Sequence, residues 1–313
     1  MGSPRTVVIV NPRSQGGQAG KDWPYLAERI RRSVAFDEAL TRAPGDATRL
    51  AREALRGGAE RVIALGGDGT INEVVNGFFE DGAPIAPHAA MGLVPYGTGG
   101  DFRKTVRVPK DLDDAVAILA ADRRRTIDVG RLDLTTADGG RAVRMFVNIA
   151  SFGMSGVVDR LVNKSKKRFG RLSFLAATTR GMLRYDNQRV RITFDGNAAD
   201  ALEMTINTVA VANGRYFGGG MMVAPDAELD DGFFDVVAIG DVGFLDMVIK
   251  SRRLYAGTHL STKEVSARRA RVVTAEPASP GEVVELDVDG ETPGQLPATF
   301  TIVPQALSVV VPG

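Results

Sequence analysis

Asp68 stands inside a run of glycines, Gly66-Gly67-Asp68-Gly69-Thr70, followed by Ile71-Asn72-Glu73. Glycines let a backbone come close to a bulky anion, and the first amides of a helix beginning there would turn its positive dipole end toward phosphate oxygens. A carboxylate beside a triphosphate is repelled unless a metal lies between them or the carboxylate holds an acceptor hydroxyl or sugar. Asp68 therefore points to nucleotide chemistry, with a plain glycine turn as the alternative. Thr70 is expected to cap the helix. A second loop of the same kind, Asn11-Pro12-Arg13-Ser14-Gln15-Gly16-Gly17, adds donors and a cation, and a third carries Gly97, Thr98 and Asp101. Late in the chain, Asp287-Val288-Asp289-Gly290-Glu291 gathers carboxylates suited to a general base or a metal partner, or to an acidic hairpin turn. The glycine-rich run that ends at Glu228-Leu229-Asp230-Asp231-Gly232-Phe233 could hold Mg²⁺ or Ca²⁺ through oxygen alone, or close a tight Asp-Gly turn.

Strands and helices must carry these loops. Thr6 to Val10, Phe36 to Thr41, Arg61 to Leu65 and Ala89 to Val94 read as strands, the first and third as apolar runs of buried parallel type. Helical spacing follows at about 19–34, to about Arg56, from Ile71 to Phe79 and from Asp111 to Ala121. Parallel strands deliver their C-terminal ends to one edge of a sheet, so residues 11–17, Thr41, 66–70 and 97–101 can converge on one crevice. From Arg125 onward, eight segments read as strands, several with period-2 alternation: Arg125 to Leu134, Ala142 to Ala150, Arg189 to Phe194, Leu202 to Ala212, Phe233 to Ile239, Glu264 to Thr274, Val283 to Asp289 and Ala298 to Val303. Helical insertions are expected at about 154–185 and 242–255.

The fold class is therefore α/β plus β. A Rossmann-like nucleotide domain over 1–128 precedes a mainly antiparallel β-sandwich over 129–303, with the site in the cleft between them. Thirty-nine basic and thirty-eight acidic residues give a net charge of +1, which removes bulk electrostatics as an argument for nucleic-acid binding. Without cysteine there is no thiol nucleophile and no sulfur-ligated metal. Neither a signal peptide nor an 18-residue apolar run is present, so a cytoplasmic protein with peripheral membrane contact is expected. Two basic stretches lie around 160–171 and 252–271; the first, with apolar residues interleaved, could meet anionic lipid or form a solvated face. His88 and His259 are assigned no role.

Taken together, Asn11-Pro12-Arg13-Ser14, Thr41 with Gly45-Asp46-Ala47, Gly66 to Gly77, Pro95-Tyr96-Gly97-Thr98, Leu229-Asp230-Asp231-Gly232 and Asp289-Gly290-Glu291 resemble the diacylglycerol kinase catalytic-domain family. The bacterial soluble lipid kinases of this family are similar to sphingosine and ceramide kinases. The resemblance implies ATP bound by Asn11, Pro12, Arg13, Ser14, Gln15, Thr41, Gly66, Gly67, Asp68, Gly69, Thr70, Ile71, Asn72, Glu73, Gly97 and Thr98, with Asp68 and Glu73 near Mg²⁺. It further implies a catalytic role for Asp68, Asp289 and Glu291, with the general base at 289 or 291. A structural Mg²⁺ would lie at Asp231 with the carbonyls of Glu228 and Phe233. The acceptor would be a lipid hydroxyl, taken transiently at the inner membrane face, and the tail, about 304–313, would pack back on the first domain. A homodimer is left open. An NAD kinase-like enzyme and a silent sensor on the same fold are the alternatives. Gly100 and Arg103 depart from the family's asparagine and small residue.

Overall fold

The computed structural model describes residues 4–97, 99–157 and 185–313. Thr98 and the basic stretch expected to meet lipid at 160–171 lie outside the described residues, as does most of the expected insertion at 154–185.

The first half alternates β1 (Thr6–Val10), α1 (Ser14–Arg31), β2 (Asp37–Leu40), α2 (Asp46–Arg56), β3 (Arg61–Gly66) and α3 (Asp68–Phe78). A small hairpin, β4 (Phe79–Glu80) and β5 (Ala83–Pro84), leads to β6 (Ala90–Pro95), α4 (Asp101–Thr105) and α5 (Leu112–Ala121). β2, β1, β3 and β6 pair in parallel in that order. Successive side chains of a strand face opposite sides, which decides the layers. Val7 and Ile9 join a core with Ala51 of α2 and Val74 of α3, while Val8 and Val10 join another with Leu26 of α1 and Val116 of α5. The sheet is thus covered on both faces and opens its strand ends along one edge.

The second half comprises β7 (Arg124–Thr135), β8 (Arg141–Phe146), β9 (Ile149–Gly153), β10 (Gln188–Phe194), β11 (Asn197–Ile206), β12 (Thr208–Ala212), β13 (Tyr216–Phe217), β14 (Met221–Met222) and β15 (Phe234–Ile239). After α6 (Phe244–Ala256) come β16 (Val265–Ala270), β17 (Val272–Pro277), β18 (Leu286–Val288) and β19 (Gln295–Val310). Three segments read from sequence as single strands are each two strands. The chain breaks at Val147-Asn148, at Asn207 and at Arg271, and each time passes from one sheet of the sandwich to the other. Hydrophobic alternation does not register such corners, because apolar residues face the shared core on both sides of each. Phe146, Phe152, Phe234 and Phe300 fill that core, with none of them more than 0% exposed.

β19 joins the halves. It pairs antiparallel with β7 along its length and with β17 through its first part, and its end also lies parallel to β6, Ser308 against Ala90 and Val309 against Met91. A ten-stranded sheet therefore runs from the nucleotide-type half into the sandwich. The second sheet has the order β16-β15-β12-β9-β18.

Candidate active site

β1, β3 and β6 end at the same edge, and their loops are tied to one another. Asn11 N–H donates to Leu65 O (3.2 Å) and Asn11 Nδ2 to Thr70 Oγ1 (3.0 Å). Thr70 is therefore a tie between loops rather than the cap expected of it. The helix begins two residues earlier, with Gly67 as its N-cap, which leaves Thr70 inside the first turn. Gln15, Gly16 and Gly17 take left-handed φ of 51°, 68° and 94°, so the regular helix starts only beyond them and the loop stays open to the cleft.

Asp68 accepts hydrogen bonds from Gly100 N–H (2.6 Å) and Asp101 N–H (3.1 Å). Its carboxylate thus holds the start of α4 while facing the cavity, and burial raises its pKa, with Asp101's charge adding to the effect. Gly100 sits at φ +95°, a conformation open to glycine and tolerable for asparagine. A Cβ there would lie 2.8 Å from Arg103 Nε. The two departures from the family pattern are therefore coupled in space: the arginine occupies the room left by the missing side chain.

The acidic hairpin comes from the other half. β18 pairs with β9, Asp287 opposite Ser151, and the chain reverses through Asp289 (φ 49°) and Gly290 (φ 88°). An Asp-Gly pair with both φ positive is the turn that matches strand twist. Val288 and Glu291 exchange backbone hydrogen bonds of 2.8 and 3.0 Å, and buried Asp287 accepts Gly290 N–H (3.0 Å). Asp289 is gripped from both halves. Oδ2 accepts Asn72 Nδ2 of α3 (2.9 Å) and Oδ1 accepts Ile149 N–H of β9 (3.1 Å). Burial pushes its pKa up to about 7, opposed by these donors and assisted by the charge of Asp68. Glu291 reaches the phosphate-type loop: its Oε1 lies 3.6 Å from the point a Cβ on Gly69 would occupy.

One cavity of about 1240 Å³ connects these groups. Asn11, Arg13, Ser14, Gln15, Thr41, Gly67, Asp68, Gly69, Thr70, Ile71, Glu73, Gly97, Asp289 and Glu291 all line it. Pro12, Gly66 and Asn72 do not, and act from behind the wall. Gly20 N–H donates to Pro12 O (3.0 Å), Tyr96 N–H donates to Gly66 O (2.9 Å), and Asn72 holds Asp289. Glu73 lines the cavity and accepts Ala47 N–H (3.0 Å), bracing the first turn of α2. Beyond Asp289 the cavity turns apolar, between Met154, Ala210, Phe217, Met221, Ile239 and Leu254.

Two further aspartates belong to this frame, Asp101 of the third glycine loop and Asp128, to which the sequence reading gave no role. Asp101 accepts Gly219 N–H (2.7 Å) and pairs with Lys104 (3.1 Å), docking α4 on the loop between β13 and β14. Asp128, 0% exposed, accepts Gln305 N–H (2.8 Å) and Gly232 N–H (2.7 Å), joining the tail to the acidic turn. The only signal for Asp128 is one acid within the apolar run Ile127-Asp128-Val129.

Two acidic loops bear on cation binding. Asp231 accepts Phe233 N–H (3.0 Å) and is ion-paired with Arg269, while Asp230 is held by Arg125 at 2.7 Å. The structural Mg²⁺ that the resemblance implies at Asp231, with the carbonyls of Glu228 and Phe233, would take a single carboxylate that Arg269 already pairs with, its remaining positions going to water. At the nucleotide end Mg²⁺ would take one or two carboxylates and leave its other positions to phosphate and water. Asp68 in the cavity wall fits that demand.

Glycine loops at the edge of a doubly covered sheet, closed by an acidic hairpin from a β-sandwich, define a kinase of the diacylglycerol kinase and NAD kinase fold. Residues 5–132 match the family described as "Diacylglycerol kinase catalytic domain", and residues 148–311 the "YegS C-terminal NAD kinase beta sandwich-like domain". The diacylglycerol kinase of Staphylococcus carnosus is 31% identical, over 98% of this chain and 95% of its own. That of Bacillus subtilis is 28% identical, over 98% and 96%. A crystal structure of a diacylglycerol kinase from Bacillus anthracis superposes with a TM-score of 0.70 at 19% identity, covering 100% of this chain and 98% of its own. Yeast NADH kinase, solved with NADH, shares the fold at a TM-score of 0.50 and 11% identity, over 100% and 85%. The chain belongs to the diacylglycerol kinase family.

Proposed function

We propose that this kinase transfers the γ-phosphate of ATP to the hydroxyl of a lipid such as diacylglycerol or a ceramide-like sphingolipid, at an anionic membrane surface that it visits from the cytoplasm. The observation that carries this reading is the continuity of one cavity from glycine loops, past Asp289 and Glu291, into an apolar channel. A soluble nucleotide acceptor would have no use for that channel, which favours the lipid over the NAD kinase alternative.

In this reading the triphosphate lies against the loops at 11–17, 66–70 and Gly97, with Arg13 supplying charge. Asp68 holds the Mg²⁺ that arrives with the nucleotide, whose contribution is neutralisation of phosphate charge. The acceptor oxygen bonds to the γ-phosphorus while the bond to the β,γ-bridging oxygen breaks, and ADP leaves. Glu291, which reaches Gly69, takes the hydroxyl proton. Asp289 beneath it is the positioning residue: clamped by Asn72 and Ile149, it fixes the hairpin across the cleft and modulates the basicity of its neighbour. A general base contributes about 10²- to 10⁴-fold, and the remainder comes from positioning and charge.

Incubation with γ-labelled ATP and a panel of diacylglycerol, ceramide, sphingosine, phosphatidylglycerol and NAD is the test. Label is expected in a lipid. Label in NAD alone would select the nucleotide kinase, and label in none would leave the silent sensor.

A further inference from the structure

Helix α6 roofs the apolar end of the cavity. Leu254, 6% exposed, faces inward and lines it together with Val223 and Ile239. The outer face is unlike that of an ordinary solvated helix. Ile249 is 74% exposed, more than any other large hydrophobic residue among those described, and Tyr255 is 55% exposed. Arg252 and Arg253 follow Ile249 by three and four residues, so they share its face, and both are exposed. Neither forms an ion pair with a described residue, whereas Lys250 on the flank is taken by Glu264 at 2.9 Å. Lys263, with its side chain 89% exposed, stands beyond the following turn, and exposed Asp246 opposes these cations from the first turn of the helix. Since the whole chain carries only +1, this basic excess is local.

An apolar side chain ringed by unpaired arginines suits the boundary of an anionic bilayer, where the apolar group enters among headgroups and the cations meet lipid phosphates. We propose that the outer face of α6 is the surface on which the protein docks to an anionic membrane. Charge complementarity selects this occupant, and so does place: the same helix is the wall between solvent and the apolar channel. A lipid leaving the leaflet beside α6 is one helix thickness from the channel that would hold its chains. The assignment rests on the lipid-acceptor reading for its purpose, but its test does not use catalysis.

The full chain is sedimented with vesicles of phosphatidylcholine alone and of phosphatidylcholine mixed with phosphatidylglycerol. Binding to the mixed vesicles, weakened by salt, is expected, and the Arg252→Glu, Arg253→Glu double variant should lower the partition coefficient by about tenfold or more. Ile249→Ser should lower it as well. Both variants should phosphorylate a short-chain acceptor dispersed in detergent within about twofold of the parent, since they lie outside the binding and catalytic groups. Equal partition of parent and variants, or equal binding to neutral vesicles, overturns the proposal. So does a dimer by light scattering that Ile249→Ser converts to a monomer, because a second copy would then cover the face. Vesicle binding by a protein that labels no lipid would leave the docking surface standing and remove the kinase reading instead.

Discussion

Asp289 is the residue whose chemistry the fold alters most. Its carboxyl titrates near 7 in the folded chain against 3.8 ordinarily, because burial and the charge of Asp68 outweigh the hydrogen bonds that favour its ionised form. Between roughly pH 4 and 7 the folded protein keeps a proton that the unfolded chain has lost, so this group makes stability fall as pH rises through that window and level off above it. Activity should move the opposite way, with kcat/KM rising to a plateau above about pH 7 as Asp289 ionises. Asn72→Leu removes a donor to the ionised form and should move the acid limb to higher pH, while Asp68→Asn should move it lower. A pH profile for each variant checks the direction, and an unmoved limb in both would remove Asp289 from the titration. The type and spacing of 289 and 291 offered a general base, a metal partner or an acidic hairpin turn, and the structure shows the turn, with Asp289 buried. The partner that tunes Asp289 was not legible from sequence, because Asn72 lies 217 residues away and meets it only across the closed cleft.

At the scale of elements, the strand-loop-helix units were readable, because apolar runs and glycine punctuation are local signals. Their interlocking was hidden. Thr70 was read as a cap from its type, yet it serves as a tie to Asn11, and Asp101 holds two elements that no periodicity connects. Gly97 shows how close the loops approach: a Cβ on it would lie 2.5 Å from Gly67 Cα. Backbone cannot yield at that distance without moving a phosphate-facing loop, so Gly97→Ala should weaken ATP binding by about tenfold or more and cost roughly 1–3 kcal/mol of stability. Calorimetric titration and thermal unfolding measure the two effects. The split strands at Asn148, Asn207 and Arg271 escaped for a related reason: a corner between sheets preserves the apolar alternation on which strand reading depends.

In the whole molecule, β19 makes the halves one sheet. The return of the tail was inferred from family resemblance rather than from its own pattern, and the register Val309 against Met91 is set by partners more than 200 residues earlier. Val309 is 0% exposed, and Val309→Asp would bury an unpaired charge where β19 pairs with β6. We expect a loss of several kcal/mol, seen in chemical unfolding as one cooperative transition for both halves, because both hold β19. Two separate transitions would show that the shared strand does not couple them.

The central claim is that phosphate passes from ATP to a lipid hydroxyl across this cleft, with Glu291 accepting the proton. Single-turnover transfer of labelled γ-phosphate to the lipid acceptor by the parent and by Glu291→Gln, with ATP affinity measured on both, tests it most directly. The account predicts transfer slowed by about 10²- to 10⁴-fold with ATP affinity little changed. Transfer at the parental rate in Glu291→Gln would contradict it.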